Sequence, residues 1–318
     1  MPTVDNFGTQ SPLCLIRQII DYGIIFDRDH LEEQYILRDI MFAACMNPKS
    51  GSFYVDLRTT RHFTQIMLGV PEKDILQTIY AQMMTSHFQA FDQKCVAIAP
   101  KLVTATVNIF TSIALSPQFA PTAIKFHYQF NMRDVAKIVQ NIMLAQPSAY
   151  KGKETDLVRL WAHECHRVWL DRLLFDEDIN LYMTYMKNGL KELTEFKEEV
   201  VFADPLIYTS FVAMCGGHEA SYKPVEEMDK LKEVLEDKLA EYNETISTMD
   251  LVLFNQAMEH ITRIARIIFQ PAGNALLVGV GGSGKQSLSK LTSFILNQEV
   301  FKIVVSTNYG IGDLKTDI

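Results

Sequence analysis

Hydrophobic residues recur at three- and four-residue steps along most of this chain and gather into short unbroken runs only towards its two ends. In "SPLCLIRQIIDYG", Leu13, Ile16 and Ile20 keep helical spacing. Ser11 is a candidate N-cap, Pro12 suits the first helical position and Gly23 a stop. Ile40 to Met46 is nearly continuous apolar sequence ended by Asn47-Pro48, the pattern of a strand buried on both faces of a parallel sheet. Phe63–Leu68 predicts a second short strand. From about Glu72 to Ser247 the periodicity is helical, as in "PEKDILQTIYAQMM" and "RDVAKIVQNIML". "VEEMDKLKEVLEDKLAEYNETI" places Met228, Leu231, Val234 or Leu235, and Leu239 on one stripe. Charges alternate around it, which predicts a solvated amphipathic helix. The sequence then predicts helix "MDLVLFNQAMEHITRIARIIFQP", strand "NALLVGV", a glycine loop, helix "KQSLSKLTSFIL" and strand "VFKIVVS". The order is α/β, helical, α/β, and each α/β part is too short to close a sheet alone.

Composition narrows the class. At 318 residues and 48% hydrophobic content the chain can bury one large core or two to three small ones. A net charge of −8 argues against a general nucleic-acid binder, which needs a basic face. No segment reaches about eighteen unbroken apolar residues, so no membrane span is expected. The start "MPTVDNFGTQSP" lacks the basic-then-apolar pattern of a signal peptide. Cys14, Cys45, Cys95, Cys165 and Cys215 form no CxxC pair, and are expected to be buried free thiols in a reducing compartment.

The chemistry lies in Gly279-Val280-Gly281-Gly282-Ser283-Gly284-Lys285, which meets the spacing GxxxxGK between an apolar run and an amphipathic helix. Glycines let successive backbone N–H groups turn inward around phosphate oxygens, Lys285 adds a point charge, and the helix N-terminus adds its dipole. One position departs from the pattern. Where a hydroxyl normally ligates Mg²⁺ stands Gln286, with Ser287 one step later, so the loop is expected to bind nucleotide but to handle Mg²⁺, and hence hydrolysis, poorly. The acidic pair of an ATPase normally follows such a loop. "LLFDED" (Leu173–Asp178) precedes it by more than a hundred residues and is read as a helix end with a solvated acidic turn. "HECH" (His163–His166) lacks a second ligand pair at zinc spacing, so packed or surface histidines are expected and no metal site.

Five stretches resemble dynein heavy chain, its axonemal branch in particular: "MPTVDNFGTQSP", "FAACMNPKSGSFYVDLRTTRHF", "FHYQFNMRDVAKIVQ", "LVRLWAHECHRVWLDRL" and "NALLVGVGGSGKQSLSKL". The likeness runs the whole length, in order, from the middle of the third AAA+ module to the phosphate loop of the fourth. It implies P-loop NTPase modules: residues 1–72 from the third α/β core, 73–247 a helical lid with connecting helices, and 248–318 the start of the fourth core. In that family an acidic Walker B strand stands just before the "MP" motif, so Met1 resembles an internal methionine of a longer parent. Asn47 matches the sensor I position, which faces the γ-phosphate. Arg58 and Arg61 fall in the arginine-finger region, with Arg61 favoured, and Arg133 matches sensor II on a lid helix. On residue chemistry alone the same positions read as an Asn-Pro turn, solvated loop cations, and an arginine paired with Asp134 or another acid.

The resemblance implies a segment of an ATP-driven, minus-end-directed microtubule motor of cilia and flagella. It would bind ATP or ADP at the fourth module, touch neighbouring AAA+ modules of its own chain and, through the parent, intermediate and light chains. The alternative is a nucleotide-binding or structural fragment without turnover, and by itself the segment is not expected to be a competent ATPase. An unrelated P-loop kinase fits worst, because there the loop opens the sheet.

Overall fold

The computed structural model describes residues 4–46, 56–69, 71–193, 195–211, 222–303 and 309–317. It divides into two compact units, residues 1–70 and 71–318.

In the first unit, α1 (Ser11–Tyr22) has Gln10 as N-cap, so Ser11 and Pro12 both fall in the first turn and Ser11 is not the cap. Gly23 ends the helix at φ 66°, its N–H donating to the Ile19 carbonyl, a left-handed position that glycine adopts without strain. β1 (Ile24–Phe26) then pairs antiparallel with β2 (Gln34–Ile36). The connection is shaped by Asp27, which accepts the backbone N–H of Asp29 at 2.8 Å and the Tyr35 hydroxyl at 2.8 Å. A short α2 (Leu57–Thr60) is capped by Asp56, which also accepts Arg17 of α1 at 3.1 Å.

The second unit is mainly helical. It contains α3 (Lys73–Phe88), α4 (Gln93–Leu115), α5 (Met132–Ile142), α6 (Glu154–Val168), α7 (Asp176–Leu190) and α8 (Glu198–Val201). A two-residue ladder joins β3 (Tyr208–Thr209) to β4 (Lys223–Pro224). Then come α9 (Met228–Thr245), α10 (Asn255–Phe269), α11 (Lys285–Ile295) and α12 (Ile311–Asp317).

The central element is α4, packed by α3, α6 and α7. It is long and apolar enough by composition to cross a membrane, yet Leu102, Val103, Ile109 and Ile113 are buried in the protein core. Pro100 sits inside it and removes a helical donor, at a cost of about 3 kcal/mol. Each of those aliphatic side chains contributes about 2 kcal/mol on burial, so packing offsets the loss.

Two separate apolar cores form. One runs through α3 to α7 and ends on Tyr208 and Tyr222. The other joins α9, α10 and α11 to Ile207, Phe211 and Val225. The amphipathic pattern of α9 places Leu231, Leu235 and Tyr242 inside and its charges in solvent.

The strand expectations need correction. Ile40–Met46, Phe63–Leu68, Asn274–Val280 and the described part of 300–306 join no ladder. Met41 is 95% exposed and Leu276 90%. A β-strand exists only through hydrogen bonds to a neighbour, and among the described residues these runs have none beside them. The helix expected from Met249 starts instead at Asn255. Asn243 clamps Met249, accepting its N–H at 2.7 Å, and so holds the chain out of helix between α9 and α10. The cysteines also divide: Cys95 and Cys165 are buried, Cys14 half-buried and Cys45 exposed, while Cys215 lies outside the described residues.

Candidate nucleotide-binding site

The phosphate loop is fixed at its C-terminal end by α11. Leu288, Leu291 and Ile295 lie one helical face apart and are buried in the second core, so the first turn of α11 has a set position. Gly284 caps this helix at φ 74° and Gly282 has φ 76°, conformations that L side chains rarely adopt. At Gly279 a Cβ would lie 3.1 Å from Ser283 Oγ, so the hydroxyl would have to give way to any larger residue.

Lys285 folds back over its own loop. Its Nζ donates to the Gly279 carbonyl at 2.8 Å, the Val280 carbonyl at 2.6 Å and Ser283 Oγ at 3.0 Å. The donors of a phosphate site are therefore gathered in one turn: a glycine-rich backbone, a helix N-terminus and an ammonium held by uncharged acceptors that an anion can replace. This donor set fits a nucleotide's phosphates. The side chain after the lysine carries an amide, and Gln286 Oε1 accepts from Lys302 Nζ at 3.4 Å. Ser287 follows, half-buried in the first turn of α11.

The other sequence-derived positions lie on separate elements. Arg58 is exposed on α2, in the first unit. Arg61, just after α2, reaches Asp21 at 3.4 Å with its side chain 64% exposed. Asn47 lies outside the described residues. Arg133 stands in the first turn of α5 and is exposed. It does not pair with Asp134: that carboxylate caps α5 by accepting the Asn131 N–H at 3.1 Å and forms its ion pair with Arg172. No hydrogen bond or ion pair joins Arg133 to the phosphate loop among the described residues.

The acidic turn is not solvated throughout. Asp176, Glu177 and Asp178 form the first turn of α7, and Asp178 is 1% exposed. It accepts Gln118 Nε2 at 2.9 Å, Lys125 Nζ at 2.7 Å and the Tyr128 hydroxyl at 2.9 Å. Burial raises its pKa, but those three donors outweigh burial and hold the carboxyl below its ordinary range. Both histidines of "HECH" are packed. His163 Nδ1 donates to the Leu206 carbonyl at 2.9 Å, and His166 stacks on Phe202. Burial lowers them, His163 to about 3 and His166 to about 4, so both are neutral.

Sequence reasoning missed a polar cluster around Glu164 of α6. The residue is fully buried and accepts Arg266 of α10, the Tyr222 hydroxyl at 2.7 Å and Asn141 Nδ2 at 2.7 Å. Burial pushes its pKa up, but Arg266 wins and holds it below the usual carboxylate value. The signal was present: a lone carboxylate on an otherwise apolar helix face calls for a buried cation from elsewhere.

Three family models match the chain in succession. That for the P-loop containing dynein motor region covers residues 1–71, the AAA+ lid domain 102–203, and the P-loop containing dynein motor region D4 249–318. The beta chain of the flagellar outer-arm dynein of Chlamydomonas reinhardtii is 42% identical over 100% of this chain and 7% of its own length. Axonemal dynein heavy chain 11 of Sus scrofa has the same identity and coverage. Axonemal dynein heavy chain 17 of Homo sapiens is again 42% identical over the whole chain. The chain belongs to the dynein heavy-chain family. Its fold class is that of P-loop AAA+ modules with a large helical lid, and α5, α6 and α7 of this dynein chain fall within the lid match. The dynein segment spans about 7% of the length of the curated relatives it matches, and its phosphate loop lies in the D4 match.

Proposed function

We propose that this chain is a segment of an ATP-driven, minus-end-directed microtubule motor of the axoneme, in which Gly279–Ser287 binds ATP or ADP at the fourth AAA+ module and modulates the ring. On this reading residues 1–72 belong to the third module's core, 73–247 to its lid and connecting helices, and 248–318 to the fourth core. The observation that carries it is the loop itself. Two left-handed glycines and Lys285 sit at the N-terminus of a helix anchored in a core, within a region that matches a P-loop dynein motor model. Lys285 would move from the loop carbonyls to the terminal phosphates while the backbone N–H groups hold the remaining oxygens. Arg58 or Arg61 would act towards the second module, and Arg133 and Asn47 towards the third module's own nucleotide. Microtubules, neighbouring modules, and intermediate and light chains are the partners this reading supplies.

The test is photo-labelling of the full-length heavy chain with a photoreactive ATP analogue, quantified on the peptide that carries residues 279–287. Labelling that saturates in wild type and is lost in Lys285→Ala is expected. Equal labelling of the two proteins overturns the assignment. Gln286 favours a second reading, binding with little turnover, because the position that normally supplies a hydroxyl to Mg²⁺ carries an amide turned towards Lys302.

A further inference from the structure

The two apolar cores of residues 71–318 meet across a polar seam between α6 and α10. Glu164 takes Arg266 bidentately through Nε and Nη2, and Tyr222 and Asn141 complete its shell. Gln270, just past the end of α10, donates to Asn141 Oδ1 at 2.6 Å. Further along, Asp171 receives Arg167 at 3.4 Å and Arg263 of α10 at 3.7 Å. A buried ion pair adds little net stability over an apolar contact of equal volume, because both charges lose water. What it does impose is one register, since any sliding leaves a buried charge unpaired.

That register reaches the phosphate loop through the packing of α10 on α11. Gln270 lies nine residues before Gly279 on a continuous chain, and α10 packs along α11, whose first residue is Lys285. The loop is therefore held at its C-terminal end by α11 against α10, and α10 is bolted to the lid by Glu164 and Asn141.

We infer that Arg266 and Gln270 are positioning residues for the Gly279–Ser287 loop, locked by Glu164 and Asn141, so that lid docking and nucleotide binding at the loop are thermodynamically coupled. This rests on the reading that the loop binds ATP. Coupling of this kind is reciprocal: if the docked lid favours binding, bound nucleotide must favour the docked lid by the same factor.

The experiment uses the full-length heavy chain and the same photoreactive ATP analogue, read on the 279–287 peptide, with hydrogen exchange of α6 followed with and without ATP. Arg266→Met should raise the half-saturating concentration by about 5-fold or more, the low end of measured couplings. Arg266→Lys, which keeps the charge but not the fork, should recover part of that loss. In wild type, ATP should slow exchange in α6; the slowing should vanish in Lys285→Ala, and in Arg266→Met even when the loop peptide is fully labelled. If Arg266→Met fails to fold, Gln270→Ala removes only the half-buried bond to Asn141 and should still raise half-saturation about 2- to 3-fold, one hydrogen bond's worth. Unchanged half-saturation in the folded variants, or ATP protection of α6 that survives Arg266→Met, overturns the inference while leaving the nucleotide site standing. Absence of wild-type labelling at the loop overturns both.

Discussion

Asp178 shows how much one side chain can hold in this protein. Its carboxylate closes three hydrogen bonds inside the first core, and Lys125, which it neutralises, lies at 5.1 Å from the Phe175 ring and 5.3 Å from the Tyr128 ring. Removing the acid leaves a mostly buried ammonium and a buried hydroxyl without their acceptor. Asp178→Ala is therefore expected to cost about 3 kcal/mol, measured by urea unfolding followed on the helical signal. A change below about 0.5 kcal/mol would show that water replaces the carboxylate. On the proposed reading Gln286 is the opposite case, a residue whose cost would fall on chemistry and not on folding. Gln286→Thr places a hydroxyl where the pattern calls for one, so nucleotide affinity in Mg²⁺ relative to EDTA should rise by about 10-fold, the worth of roughly 1.4 kcal/mol. A wild-type ratio that is already large and does not move on substitution would show that the amide, or Ser287, ligates the ion.

Between α4 and α7 the close approach depends on Gly189. A Cβ at that position would lie 2.6 Å from Ile109 Cδ1 and 3.0 Å from its Cγ1. Alanine gains about 1 kcal/mol of helix propensity over glycine, but overpacking costs about 1–3 kcal/mol, so Gly189→Ala should be net destabilising by about 1 kcal/mol. Ile109→Val removes the clashing methyl. In that background Gly189→Ala should become neutral or stabilising, and a double-mutant cycle that returns no coupling would exclude the contact. The contact was invisible in the sequence, since no local pattern says which isoleucine faces which glycine across 80 positions. Elements whose information is local were legible: α1 with Gly23 as its stop, the amphipathic α5, α9 and α11, and the phosphate loop. The β1–β2 hairpin was passed over although "IIF" and "QYI" flank an Asp27 turn, because three-residue strands give too few alternations to stand out. The longer apolar runs failed for another reason. Their pattern records burial inside a sheet, and Leu276 and Val278 among them are exposed where no neighbouring strand is described.

At the scale of the second unit, two apolar cores are locked across a seam. There the α6 histidines and Glu164 lose stability together in acid, whereas Asp171, whose pKa is raised by burial, changes in the opposite sense. His163 touches Tyr222 at 3.2 Å and lies beside Glu164, with Arg167 and Arg266 close by; His166 packs between Tyr182 and Phe202. Burial is the first cause of both depressed values, about 3 and about 4 against an ordinary 6.5. A depressed histidine pKa means that the unfolded chain takes up protons between pH 6.5 and about 4 while the native chain does not, so stability falls as pH falls through that window. Glu164, also depressed, adds to the loss only below its ordinary 4.5, as its stabilising charge is neutralised. Between pH 7 and pH 5 each histidine should therefore remove about 2 kcal/mol from the opening free energy of α6. Hydrogen exchange of α6 amides, corrected for intrinsic rates, reads this directly. His166→Phe keeps the ring stacking against Phe202, removes the titrating imidazole, whose Nε2 has no partner among the described residues, and should halve the pH dependence. An α6 opening free energy that is the same at pH 5 and pH 7 would mean that these imidazoles meet water in the native state, and the seam between the two cores would then be wet.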